Sequence, residues 1–260
     1  MNDWILYNVE NHIATVTINR PEKRNAMSYA MLGDFIQTMA RAGADDAVRV
    51  VILTGTAGAF CAGTDLSDLD TLPGETRGLR GSAAEKSRWW PIVSCPKPVI
   101  AAIDGPAVGM GAEFTSQCDI RIASTRARFA WNFAHRGLVP DTGAGSWLLP
   151  RLIGTSQAFW LLYSGEFVSA SQAYDLKYVS AVCEPEDLIA KAREMAETIL
   201  QGSPFSHQRM KTLVYEGLGI DVDKHMENHT KALAECFKSA DHKEGVASFL
   251  ERRPAKFTGQ

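Results

Sequence analysis

The run Lys97-Pro-Val-Ile-Ala-Ala-Ile-Asp-Gly-Pro-Ala-Val-Gly-Met-Gly-Ala-Glu113 decides the fold. Its first half is a short, uninterrupted apolar stretch, the pattern of a strand buried on both faces of a parallel sheet. Asp104-Gly105-Pro106 breaks that strand, and the residues beyond Gly109 open a helix. Gly105, Gly109 and Gly111 let the backbone turn sharply and approach a ligand without interference from Cβ atoms. With Met110 opening the helix, its amide stands at the positive end of the helix dipole, where it can donate to a developing oxyanion. Glu113 then falls one turn inside. The alternative for this segment alone is a tight connection with a solvated glutamate. A dinucleotide fingerprint is excluded, because Phe114 stands where the third glycine belongs.

Strand and helix signals alternate on the N-terminal side. Residues 5–9 and 13–18 read as two strands, with Asn11-His12 as a hairpin turn. A polar loop around residues 20–25 leads to Ser28, an N-cap for a helix with Met31, Leu32, Phe35, Ile36 and Met39 at spacings of three and four. Residues 48–53 are rich in β-branched side chains and read as a buried strand. The small residues of Ala59-Phe-Cys-Ala-Gly-Thr-Asp-Leu66 allow a second close backbone approach, and hence a second amide donor; a plain loop with Asp65 capping a helix is the alternative. Residues 67–82 carry Pro73, Gly74, Gly78 and Gly81 without periodicity and read as a mobile loop.

Residues 120–123 are a further short strand, and strand–helix–strand at this rhythm implies parallel pairing with right-handed crossovers. Beyond Ser180 the strand signal fades. Residues 188–200, 204–218, 222–237 and 243–252 read as helices, and the stripe Val222, Met226, Leu233 and Phe237 faces a core or another subunit. Gly137-Leu-Val-Pro-Asp-Thr-Gly-Ala-Gly145 places Asp141 in a glycine-rich turn, either as an N-cap of the helix through Leu148 or as a carboxylate held for proton transfer.

Composition removes other classes. At 260 residues the chain can bury a large core, and a net charge of −3 lacks the basic footprint of a nucleic-acid binder. No run approaches the ~18 apolar residues of a membrane span, and the N-terminus lacks the pattern of a signal peptide. Five scattered cysteines without a C-x-x-C pair point to reduced thiols and a cytoplasmic setting rather than disulfides or zinc. His225 and His229 stand four apart, but Met226 replaces the glutamate of a zincin. Trp147 directly follows Ser146, so no G-x-S-x-G elbow exists. Trp89, Trp90 and Trp131 read as packing or pocket-lining aromatics, and His135 as a loop histidine.

The chain resembles the crotonase superfamily, the enoyl-CoA hydratase/isomerase family, from about residue 3 to residue 258. The carrying motifs are Arg20-Pro-Glu-Lys-Arg-Asn-Ala26, Phe60-Cys-Ala-Gly-Thr-Asp-Leu66, the run from Lys97 to Glu113, and Cys118-Asp-Ile-Arg-Ile-Ala123. The resemblance implies an α/β fold, a spiral of ββα units over residues 1–200 with a helical trimerisation region over residues 201–260. It implies trimers or dimers of trimers and acyl-CoA thioester substrates, with no metal and no cofactor beyond the substrate's own coenzyme A. By motif position, Thr64 and Met110 supply the backbone amides that bind the thioester oxygen. Ala62, Asp65 and Leu66 line the CoA adenine pocket, and Arg24 approaches the CoA phosphates.

Glu113 falls on the first of two catalytic glutamates in the hydratases. The second falls on Phe133, so the paired-glutamate machinery is incomplete. Asp141, in Leu138-Val-Pro-Asp-Thr-Gly143, falls instead where the dienoyl-CoA isomerases and similar ring-opening isomerases carry an acid, and Pro150-Arg-Leu-Ile-Gly154 continues that likeness. The resemblance therefore implies an enolate-forming enzyme that leans to double-bond isomerisation. The alternatives are a 2-enoyl-CoA hydratase using Glu113 and Asp141, and a non-catalytic acyl-CoA-binding paralogue.

Overall fold

The computed structural model describes residues 3–65 and 90–260. Along the chain its strands are β1 Ile5–Glu10, β2 Ile13–Ile18, β3 Val50–Gly55, β4 Val99–Ile103, β5 Pro106–Val108, β6 Ile120–Ser124, β7 Arg128–Ala130, β8 Val168–Ser169 and β9 Ala181–Cys183. One sheet orders them β1-β2-β3-β4-β6-β9 and a smaller one β5-β7-β8. β1 and β2 form the expected antiparallel hairpin. Asn11 and His12 both take positive φ, 51° and 65°, as a two-residue type I′ connection requires. From β2 onward every pairing in the larger sheet is parallel. β4 runs straight into β5 and then the Met110–Gln117 helix, while β6 runs into β7. Successive turns thus give one strand to each sheet, which is the ββα spiral.

The apolar runs are continuous because both faces of the larger sheet are covered. Val51, Leu53, Val99, Ala101 and Ile103 share a core with Met31, Phe35 and Met39 of the Tyr29–Ala44 helix. The alternate residues Val50, Ile52, Ile100 and Ala102 meet Leu188, Ala192 and Ala196 of the Leu188–Leu200 helix. Each large side chain buried in this way contributes about 1.5–3 kcal/mol. Ser28 Oγ accepts from Met31 N at 3.2 Å and starts the first of these helices as the sequence indicates. Phe35 stacks on Phe114 with ring centroids 4.8 Å apart, fixing the helix that carries Glu113 against its neighbour.

The C-terminal region is helical: Pro204–Gly217, Val222–Lys238 and Ala240–Glu251. Lys211 anchors it, its buried Nζ donating to Asp119 Oδ2 at 2.8 Å and to the carbonyls of Ile92 and Lys97. No helix among the described residues is long and apolar enough to cross a membrane.

Several details correct the sequence reading. Pro106–Val108 is a strand rather than a plain turn, its backbone satisfied by parallel pairing with β7. β9 lies beyond Ser180; it is three half-buried residues, too few to show a period. The final helix begins at Ala240, not residue 243, because Ser239 Oγ accepts from His242 N at 2.9 Å and caps it there. Val222, Met226, Leu233 and Phe237 are exposed by 44–71%, so they do not face this chain's core. Leu66, Trp89 and the loop expected over residues 67–82 lie outside the described residues.

Candidate active site

Two backbone segments meet where the sequence places its amide donors. Cys61 bridges Ala107 in parallel, and Val108 N donates to Cys61 O at 2.9 Å. The register carries the chain to Gly63 (φ 100°) and Gly109 (φ 53°), both in backbone regions that favour glycine. A Cβ on Gly63 would stand 2.9 Å from Val108 O, and one on Gly109 would stand 3.9 Å from Gly63 Cα. The residues that follow these two glycines are Thr64 and Met110. Thr64 bridges Met27, with Gly63 O and Asp65 N facing that partner, so the Thr64 N–H points the other way. Met110 is the first residue of its helix, where an N–H has no intrahelical acceptor. The geometry thus brings together two outward-facing amides on adjoining backbones.

Two carboxyls lie beside them. Glu113 is fully buried on the Met110–Gln117 helix. Its Oε2 accepts from Thr142 Oγ1 at 2.8 Å. Thr142 Oγ1 in turn accepts from Gln117 Nε2 at 3.4 Å and Ala144 N at 3.3 Å. Two donors on one side of a hydroxyl direct its proton to the other, so Oε2 is held as an acceptor. Glu113 Oε1 faces the amides of Ala144 and Gly145 without a well-formed hydrogen bond. Burial pushes the Glu113 carboxyl up to about 8, the negative charge of Asp141 adds to this, and the nearby amides and Thr142 only partly oppose it.

Asp141 does not cap the next helix. That helix, Ala144–Trp147, has Gly143 at its N-cap and no side-chain cap bond. Asp141 Oδ2 instead accepts from Thr64 Oγ1 at 3.2 Å, while Oδ1 has no partner among the described residues. Burial raises its carboxyl to about 6, held from going higher by Thr64 and the Thr142 backbone. Among the described residues, no cation is one of the principal groups acting on either carboxyl. The result is two acids with different proton affinities: near neutrality Asp141 is mainly ionised and Glu113 mainly protonated.

The other positions are placed as follows. Phe133 is buried, its Cζ 3.9 Å from where a Cβ on Gly109 would stand. Arg24 is exposed, with φ 50°, and its carbonyl accepts from Ala62 N at 3.1 Å, so these two are neighbours. Asp65 is buried and pairs with Arg20 Nη1 at 2.8 Å. His135 sits on an exposed turn. All five cysteines are free, and burial pushes the Cys61 thiol in this loop up to about 12, which leaves it a poor nucleophile. Thr142 and the Thr64 side chain were missed as functional groups. The signal for Thr142 was its place directly after Asp141 in an otherwise apolar and glycine-rich turn.

This frame, a ββα spiral with two backbone amides above buried carboxyls, defines a class that comparison identifies. The family description "Enoyl-CoA hydratase/isomerase" matches residues 8–260, and the chain belongs to that family. It is 35% identical to the 1,2-epoxyphenylacetyl-CoA isomerase of Escherichia coli K12 over 100% of both chains. It is 33% identical to the crotonyl-CoA hydratase of Syntrophomonas wolfei over 97% of both. Among solved structures, an enoyl-CoA hydratase from Bacillus anthracis superimposes with a TM-score of 0.90 at 30% identity, covering 99% of this chain and 100% of that one. The fold is therefore the crotonase fold, and both hydratases and isomerases are among its relatives.

Proposed function

We propose that this enzyme moves a double bond within an acyl-CoA thioester. The carrying observation is the pair of buried carboxyls, Asp141 and Glu113, with separated proton affinities and no cation among the described groups that principally act on them. The Asp141 carboxylate removes a proton from the carbon next to the thioester or from the vinylogous one. The electron pair of that C–H bond passes into the thioester, and the dienolate oxygen is held by the Thr64 and Met110 amides. Protonated Glu113 returns a proton to the other end of the allylic system, and exchange between the carboxyls restores the starting state. Arg24 and the backbone at Ala62 lie beside the CoA moiety, with Asp65 and its partner Arg20 shaping that loop. No metal or further cofactor enters the scheme.

Support for isomerisation over hydration comes from Phe133, which cannot hold a nucleophilic water. A 2-enoyl-CoA hydratase is the second reading, favoured by the hydratases among the relatives. A non-catalytic paralogue would have no use for two carboxyls buried at such electrostatic cost. The deciding experiment incubates trans-2-enoyl-, 3-enoyl- and dienoyl-CoA thioesters in deuterated water and identifies the products. Double-bond shift with deuterium in the acyl chain supports the proposal, whereas 3-hydroxyacyl-CoA as the main product supports the second reading. The exposed stripe on the Val222–Lys238 helix further supports assembly as a homotrimer or hexamer, readable by light scattering.

A further inference from the structure

Trp90 is an aromatic that the steps above leave without a role. It stands at the start of the Pro91–Ser94 helix, whose Pro91, Ile92 and Val93 are buried. Lys211 Nζ holds that helix through the Ile92 carbonyl at 3.1 Å. The indole packs on the cluster of Val93, Ala144 and Leu148, and its Nε1–H donates to the carbonyl of Thr142 at 2.8 Å. An indole N–H is a donor only, so this bond fixes the ring against one particular backbone unit. The two residues lie 52 positions apart in the chain.

Thr142 is where the two proposed acids meet. Asp141 and Thr142 are the central residues of a turn closed by Gly143 N, which donates to Pro140 O at 3.2 Å. The Thr142 amide faces the Asp141 carboxyl, and the Thr142 hydroxyl donates to Glu113 Oε2 at 2.8 Å. Gln117 stands one helical turn beyond Glu113 on the same helix face, and its Nε2 reaches that hydroxyl at 3.4 Å. Turn and helix are in close contact besides, since a Cβ on Gly145 would overlap Glu113 Oε1. Thr142 thus commits its N–H to one acid, its O–H to the other and its C=O to Trp90. With no slack between turn and helix, a rotation of the Thr142 unit displaces both carboxyls together.

We infer that Trp90 is a positioning residue: its bond to the Thr142 carbonyl sets the turn that places Asp141 and Glu113 relative to each other. The inference rests on the proposed reading of the two carboxyls as the proton-transferring pair. Displacing a reacting group by about 1 Å costs up to ~10²-fold in rate. Binding of the CoA moiety, assigned to Arg24 and the backbone at Ala62, does not pass through this bond. Loss of the clamp therefore shows in turnover and not in affinity.

The test measures kcat for deuterium exchange into the most rapidly exchanged of the enoyl-CoA thioesters above, alongside calorimetric binding of the unreactive thioether S-butyl-CoA. Trp90→Phe removes the N–H and keeps an aromatic ring; it should lower kcat by at least ~10-fold and leave binding within ~2-fold of wild type. In an Asp141→Asn background the same change should cost less than ~3-fold, because the group it positions is already gone. An unchanged kcat, a parallel loss of binding, or the full loss repeated in the Asp141→Asn background would each overturn the inference. Should Trp90→Phe lose its cooperative melting transition, the link is tested from its other end. Thr142→Val should then lower kcat by at least ~10-fold and Thr142→Ser restore it to within ~3-fold, whereas wild-type turnover in the valine variant overturns the inference. Exchange that survives Asp141→Asn intact would instead overturn the reading of the carboxyl pair, and this inference with it.

Discussion

The Thr64 hydroxyl donates to Asp141 Oδ2 across 3.2 Å, joining the residue proposed to present an oxyanion amide to the residue proposed as base. This bond favours the ionised carboxylate and opposes the effect of burial. Thr64→Val keeps the amide and the volume but removes the donor. The acid limb of the kcat/KM profile should move to higher pH, with a loss of ~10-fold at pH 6, while Thr64→Ser should retain the wild-type profile. An unshifted limb in the valine variant would show that the hydroxyl does not set the base.

Asp141→Asn keeps the shape of the side chain and removes its charge. Turnover should fall by at least ~10²-fold, the usual range for losing a general acid or base, with acyl-CoA binding largely retained. Stopped-flow turnover and equilibrium binding of a saturated acyl-CoA separate the two effects.

The pH dependence follows from the two carboxyls. In the proposed scheme Asp141 acts ionised and Glu113 protonated, so kcat/KM should fall below about 6 and above about 8. Glu113→Gln should cut turnover by at least ~10²-fold and leave any residual activity without the alkaline limb. Stability carries the same signature: the folded state keeps the Glu113 proton up to about 8, whereas the unfolded chain releases it near 4.5. The native state therefore binds more protons across that window, and stability should decline as pH rises through it, less so in Glu113→Gln. Thermal melts from pH 5 to 8.5 measure the slope.

Phe133→Glu should raise hydration relative to isomerisation. A phenyl ring dries the site; a carboxylate there supplies an acceptor for water on the side of Gly109. Product partitioning from a trans-2-enoyl-CoA in labelled water reads this directly, and an unchanged ratio in a folded variant would remove Phe133 from the account of reaction choice.

Asn25 is a structural counterpart to these residues. It is fully buried with φ 59°; its Oδ1 accepts from Arg20 N at 2.7 Å, and its Nδ2 donates to Ala59 O at 2.6 Å and Thr56 O at 3.0 Å. It ties the Arg20–Ala26 loop to the segment leading into Thr64. Asn25→Ala should cost about 2 kcal/mol by urea denaturation, since it leaves buried backbone groups unpaired.

The elements that were legible in the sequence are those whose signals are local. Val99–Ile103 announces itself as an apolar run, and Ser28 as the cap of the helix behind it. β5 and β9, three residues each, were not, because their existence depends on partners rather than on any period of their own. The site divides in the same way. Glu113, Asp141 and the two glycine-bearing segments stand out in single stretches. The Thr64–Asp141 bond, the Thr142 hydroxyl beneath Glu113 and the Trp90 bond to the Thr142 carbonyl depend on segments far apart in the chain. Asp141 also shows why a glycine-rich turn is ambiguous: the same local pattern serves a cap or a base, and only the position of Gly143 at the helix start separates them.

The close approach of Gly63 and Gly109 has a bearing on how this enzyme tolerates change. The groups proposed to bind the thioester oxygen belong to the main chain, so substituting Thr64 or Met110 alters the surroundings of an amide without deleting it. Heritable loss of that half of the machinery must come through the two glycines, where any side chain meets a backbone that favours none. The side chains have no such protection: on the proposed scheme, one substitution at Glu113, Phe133 or Asp141 alters which protons move. A frame of this kind is divided into a main-chain chassis and exchangeable side-chain fittings, which is a physical route by which relatives of one architecture come to carry out different reactions.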